Sequence, residues 1–124
     1  VSDEIKIDFR NYSSILQAIR DIENRVDGAI EQGAQEFIMT AVNEIKIRTP
    51  VRTGHLRAGT QGDIAEKSRL RARIHVWNPV YYAPFVEFRW GGKYAYFRPG
   101  INVAISKMRD RFRNIVISAV GGEQ

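Results

Sequence analysis

The chain has no cysteine, only two histidines and four prolines in 124 residues. Without cysteine it can form neither disulfides nor thiolate metal sites, which fits a reducing compartment. His55 and His75 stand far apart with no paired carboxylate spacing, so the pattern holds no zinc motif and no cofactor site is expected. No apolar run approaches the ~18 residues that a membrane span needs. The opening stretch Val1–Phe9 is alternating and acidic, and reads as a strand rather than a signal peptide. A soluble protein of the cytoplasm, or of a particle assembled there, is expected.

Catalytic signatures are missing as well. No serine sits in a Gly-x-Ser-x-Gly elbow, and Gly91-Gly92 alone makes neither a Walker loop nor a dinucleotide fingerprint. Paired acid–base chemistry needs two carboxylates converging on one bond. The second half of the chain offers Asp63, Glu66, Glu87, Asp110 and Glu123. Glu87 stands out among Phe85, Phe88 and Trp90, a setting able to raise its pKa. The structural alternative pairs Glu87 with a local arginine, Arg57 or Arg98, so that it fixes the aromatic segment. A non-enzymatic protein is the reading these absences favour.

What is present is ordinary for one soluble domain spanning 1–124: 44% hydrophobic and 27% charged residues. The formal net charge of +5 is unevenly spread. Residues 1–48 hold six Lys/Arg and nine Asp/Glu, whereas 49–124 hold thirteen and five. Such asymmetry points to nucleic acid nearby, an acidic partner, or self-association between unlike patches. Recognised nucleic-acid motifs are lacking, which favours protein partners.

Ile5, Ile7 and Phe9 alternate with polar residues as in a short strand. Ile15, Ile19, Ile22, Val26, Ile30, Phe37, Ala41 and Ile45 then recur at helical steps, predicting a long amphipathic helix over 13–47. A bend near Gly28–Gly33 is the alternative. Pro50 stops that helix, and Thr53-Gly54 makes a turn. A strand is expected from His55, with Gly59, Gly62 and Asp63 marking its end or a loop. The stretch 64–68 carries no clear pattern.

Residues 69–77 form the clearest strand, with Leu70, Ala72, Ile74 and Val76 on one face and Arg69, Arg71, Arg73 and His75 on the other. The basic face is either solvated, or directed at an acidic neighbour or at DNA. After Asn78-Pro79, dense aromatics read as a packed loop or short helix. Gly91-Gly92 then permits a hairpin-like turn into a last strand over 93–97. Pro99 suits a helix start, and the stripe from Ile101 to Ala119 is helical, ending at Gly121-Gly122. The order β–α–β–β–β–α predicts an α+β domain, with a long N-terminal helix and a C-terminal helix packed on a small antiparallel sheet.

Three motifs mark the junctions: Pro50-Val-Arg-Thr-Gly-His-Leu-Arg57, then Asn78-Pro and Tyr82-Ala-Pro-Phe-Val-Glu-Phe88, then Phe97-Arg-Pro99. In this order and spacing, across Gln35 to Ile105, the chain resembles a neck-protein family of long-tailed, lambda-like phages and prophages, whose members are labelled tail components. Pro50, Thr53, Gly54, Tyr82, Glu87, Arg98 and Pro99 match its motifs. Arg52 stands where relatives often carry Asp, Arg89-Trp90-Gly91-Gly92 replaces a usual Gly-Thr, and Gly100 stands where Ala is common. These departures bear on partner choice.

The resemblance implies a structural virion protein at the head–tail junction, assembled in the host cytoplasm, with copies forming a ring of six or twelve around the DNA channel. Its partners would be further copies and the other neck and tail proteins, head-completion and tail-terminator proteins among them. Genomic DNA would lie near without specific recognition. A tail terminator or head-completion stopper is the near alternative; a small basic nucleic-acid-binding regulator is the alternative from another class. Ring closure needs two different patches on each subunit, and an acidic helix meeting a neighbour's basic half, Arg69, Arg71 and Arg73 included, would supply them.

Overall fold

The computed structural model describes residues 12–50 and 54–121. Helix α1 spans Tyr12–Arg48, α2 His55–Gly59, α3 Ala83–Phe88 and α4 Phe97–Gly121; strands β1, Gln61–Ser68, and β2, Arg71–Trp77, form one antiparallel hairpin. The result is an α+β fold with a long N-terminal helix, a C-terminal helix and a small antiparallel sheet. The strand expected over residues 5–9 lies outside the described residues.

Helix α1 runs unbroken through both glycines for 37 residues, about 55 Å at ~1.5 Å per residue. Gly33 lies tightly against α4, where a Cβ would sit 3.3 Å from the Phe112 ring, while one at Gly28 would meet nothing within 4 Å. The buried face consists of Ala29, Ala34, Ile38, Ala41 and Ile45. Its small residues let α4 approach closely. At the far end a Cβ on Gly100 would fall 2.8 Å from the Ile45 backbone. The helix stops where Thr49 donates its hydroxyl to the Ile45 carbonyl at 2.7 Å, just before Pro50, which has no amide hydrogen to offer.

Helices α1 and α4 run antiparallel, since Arg25 donates to the Ala119 carbonyl at one end and Gly100 abuts Ile45 at the other. Between them, Arg111 pairs with Glu36 at 3.0 Å and Lys107 with Glu44 at 3.2 Å. The core gathers at the Gly100 end, where Ile45, Leu56, Ala83 and Tyr96 are buried together.

Several elements differ from expectation. The strand predicted from His55 is the short helix α2, closed by the Ala58 amide donating to the Gly54 carbonyl at 3.0 Å, with Leu56 driven into the core. Gly62 and Asp63 do not end a strand but lie inside β1. Gly62 is there because a Cβ would come 3.0 Å from Ile38 of α1. The unreadable stretch 64–68 is strand, irregular because the register shifts between Ile64 and Glu66, a bulge that breaks the period of two. Strand β2 starts at Arg71, so Arg69 belongs to the turn, and Leu70 sits there at φ 58° and exposed. Residues 93–97 form no strand. The chain makes a tight turn over Arg89–Gly92 with left-handed φ at Trp90, Gly91 and Gly92, then enters α4 two residues ahead of Pro99.

Candidate functional site

The segment after β2 is locked in place by Asn78. Its amide donates to the Leu56 carbonyl at 2.8 Å and the Thr60 hydroxyl at 3.2 Å, and its Oδ1 accepts from the Val80 amide at 3.0 Å. A Cβ on Gly59 would strike that Oδ1 at 2.8 Å. The Asn-Pro junction therefore ties α2 to the start of the aromatic segment, and α3 comes next, with Pro84 in its first turn.

Glu87, on α3, is 5% exposed and saturated with donors. Its Oε1 accepts the amides of Tyr96 at 3.0 Å and Phe97 at 2.8 Å; its Oε2 accepts the amide and the Nε of Arg98, both at 3.0 Å. The first amides of a helix have no partner within it, and a carboxylate there also meets the positive end of the helix dipole. Glu87 thus caps α4 from another element. Burial alone would raise its pKa, but the amides of Arg98, Phe97 and Tyr96 and the Arg98 guanidinium outweigh burial and hold the carboxyl below its ordinary 4.5. Arg98, rather than Arg57, is the arginine it pairs with, and the guanidinium also lies 4.8 Å from the Phe88 ring centre. An ionised carboxylate with four donors already bound is a poor proton shuttle. Beside it, burial pushes the Tyr96 hydroxyl up to about 12.

Next to this cap lies a groove of about 600 Å³. Pro50, Gly54 and Leu56 form one wall, and α3 with the residue before it contributes Tyr82, Phe85 and Val86. The far wall is the tight turn and its continuation towards α4, with Arg89, Trp90 and Tyr94. Trp90 packs edge-on to Tyr94 at 5.5 Å, and Arg89 lies 4.4 Å over the Trp90 ring. Phe85, Phe88 and Trp90 are each more than 60% exposed, and Tyr81 is 86% exposed. Aromatic exposure is thus clustered at and beside the groove rather than scattered over the surface.

Of the residues singled out by sequence, Pro50, Gly54, Tyr82, Arg89 and Trp90 meet at this groove, and Glu87, Arg98 and Pro99 build the helix start behind it. Arg52 and Thr53 lie outside the described residues. Phe85 and Tyr94 join the groove without having been marked by a motif match. Their signal is the recurrence of aromatics from Tyr81 onward, which spacing alone does not separate from core.

The basic face is dispersed. Arg69 leaves it to pair with Glu23 of α1, Arg73 stands 3.5 Å from Glu66, and His75 lies opposite Asp63. Arg71 alone of the three arginines has no carboxylate partner among the described residues. Lys67 likewise pairs with Asp27 of α1 at 2.6 Å. Of the acidic side chains of α1, Glu23, Asp27, Glu36 and Glu44 are thus paired within the subunit, while Asp21 and Glu31 have no cationic partner among the described residues.

Among the described residues, no three His, Asp or Glu side chains are grouped to hold a metal ion, and no helix is long and apolar enough to cross a membrane. No curated protein and no solved structure matches the chain. A family model described as "Bacteriophage HK97-gp10, putative tail-component" matches residues 10–88. That is more than half of the chain, and it ends before the Phe97-Arg-Pro99 motif. The chain belongs to this phage tail-component family.

Proposed function

From membership of that family, we propose that the chain is a non-enzymatic structural protein of a tailed phage, joining the DNA-filled head to the tail as a ring of six or twelve copies. The observation that carries this reading is the pair of unlike surfaces at opposite ends of the α1–α4 pair. One end presents the aromatic groove with Arg89 on its rim; the other exposes Ile19 and Ile22 of α1 with Ile117 and Val120 of α4. Two different patches at two ends of an elongated subunit suit head-to-tail contacts that close a ring. The ring's further partners are head-completion and tail-terminator proteins, and its place is the head–tail junction of the virion.

DNA proximity rests on the cations that intramolecular pairing leaves over. Arg71, Arg109 and Arg113 are exposed without a carboxylate partner among the described residues. They suit loose contact with phosphates, which salt would weaken steeply.

The test is a phage carrying a Trp90→Ala, Arg89→Glu double change in this protein. Filled heads and free tails accumulating separately in electron micrographs are the expected defect. Normal yields of joined particles would remove the groove from head–tail joining, and joined particles from an amber mutant would remove the whole role.

A further inference from the structure

We infer that the aromatic groove of one copy receives residues 3–9 of a neighbouring copy, so that the segment ahead of α1 is an arm exchanged between subunits. The inference rests on the proposed self-assembly and names the contact that would hold it together.

The groove asks for an apolar segment with acidic residues. Phe85, Trp90 and Tyr94 leave 67%, 64% and 44% of their surface open. Arg89 at the rim and Lys93, which lies 5.5 Å from the Tyr94 ring, have no carboxylate partner among the described residues. Glu87, on the same short helix as Phe85, is occupied by the helix cap. Residues 3–9 carry Asp3, Glu4 and Asp8 against a single Lys6, and place Ile5, Ile7 and Phe9 at alternate positions. Apolar anchors at every second residue fit a row of aromatic rings, and the carboxylates between them fit a cationic rim.

Reach decides whose arm fills the groove. Ile45, packed against Leu56 in the groove wall, lies 33 positions after Tyr12 in α1, or about 50 Å along the helix. Nine residues from Tyr12 back to Asp3, fully extended, span at most about 32 Å. An arm therefore falls short of its own groove and can fill only that of another copy, a heterologous contact of the kind a ring needs. The hairpin tip is the alternative seat within its own chain, because Lys67 and Arg69 touch Asp27 and Glu23 much nearer Tyr12.

The absence of cysteine makes disulfide mapping on the full chain clean. One chain carries Ile7→Cys and another Phe85→Cys, with Tyr94→Cys as a second groove position should the first disturb folding. On mixing under mild oxidant, the linked heterodimer should form at least about tenfold faster than for Ile7→Cys mixed with Gln32→Cys on the exposed face of α1, because docking raises local concentration. Equal rates for groove and control pairs would overturn the proposal. So would a predominant link within one chain carrying Ile7→Cys and Leu70→Cys, which would seat the arm on its own hairpin. Sedimentation of the unaltered chain separates the two readings. Assembly without groove linking would sink the arm exchange alone; a persistent monomer without linking would sink ring formation as well.

Discussion

The two ends of the α1–α4 pair are built by opposite means. At the Gly100 end the helix pair itself is closed: Ile45 and Tyr96 are at most 1% exposed, the helix backbones nearly touch, and a buried carboxylate holds the start of α4. At the other end Ile19, Ile22, Ile117 and Val120 stand open, and Gly28 has empty space around it. Both ends carry amphipathic helical sequence, yet only one is a core. The contrast teaches that a long helix in a small domain outruns the surface available to bury it, and part of its apolar stripe stays exposed.

The largest predicted effect breaks the closed end. Glu87→Ala strands three helix-start amides and the Arg98 guanidinium, and should cost on the order of 3 kcal/mol in denaturant unfolding. Glu87→Gln should cost less. It should also reduce the acid sensitivity of the fold. Because the folded pKa of Glu87 is depressed, its contribution is present above the unfolded value of 4.5 and is lost as pH falls through the lower folded value. Unfolding curves followed from about pH 6 down to about pH 2 read this directly. The same end should be weak to alkali. Tyr96 titrates at about 12 against 10.0 when unfolded. Its contribution is whole below about pH 10 and fades as pH rises towards about 12, by roughly 3 kcal/mol.

Gly100→Ala should come next, at about 2 kcal/mol, as the new methyl forces the α4 start away from Ile45. Gly28→Ala sharpens the comparison by going the other way. With nothing near the added methyl, it should stabilise by about 1 kcal/mol through helix propensity alone. The smallest effect is expected at the open end. Ile117→Ser should change stability by less than about 0.5 kcal/mol while weakening self-association in sedimentation. A large loss of stability there would mean that this end is core after all.

Much of this is legible in the order of residues alone. The period of the apolar residues marks both long helices, Pro50 marks where α1 stops, and alternation marks β2. Glu87 is legible as a structural carboxylate, and Arg98 as one of two candidate partners. That it caps a helix is not, because the amides it accepts belong to residues 96–98, which the pattern reads as the end of a strand leading into Pro99. Gly33, Gly62 and Gly100 read as breakers or substitutions, whereas each sits where another element packs closely, and at Gly100 too closely for a side chain. The ion pairs from α1 to the hairpin and to α4 are equally hidden, since composition counts charges without showing which of them meet.

By itself the sequence determined what depends on neighbours along the chain: helix period, strand alternation, the proline stop, the motifs that point to the family. The tertiary structure alone decided which apolar stripe became core, which glycines mark contacts, and which charges are spent within the subunit. Those outcomes turn on residues dozens of positions apart arriving within a few ångströms of one another. The same closure that buried Ile45 and Tyr96 left the aromatic groove open beside them, as the surface on which the proposed assembly turns.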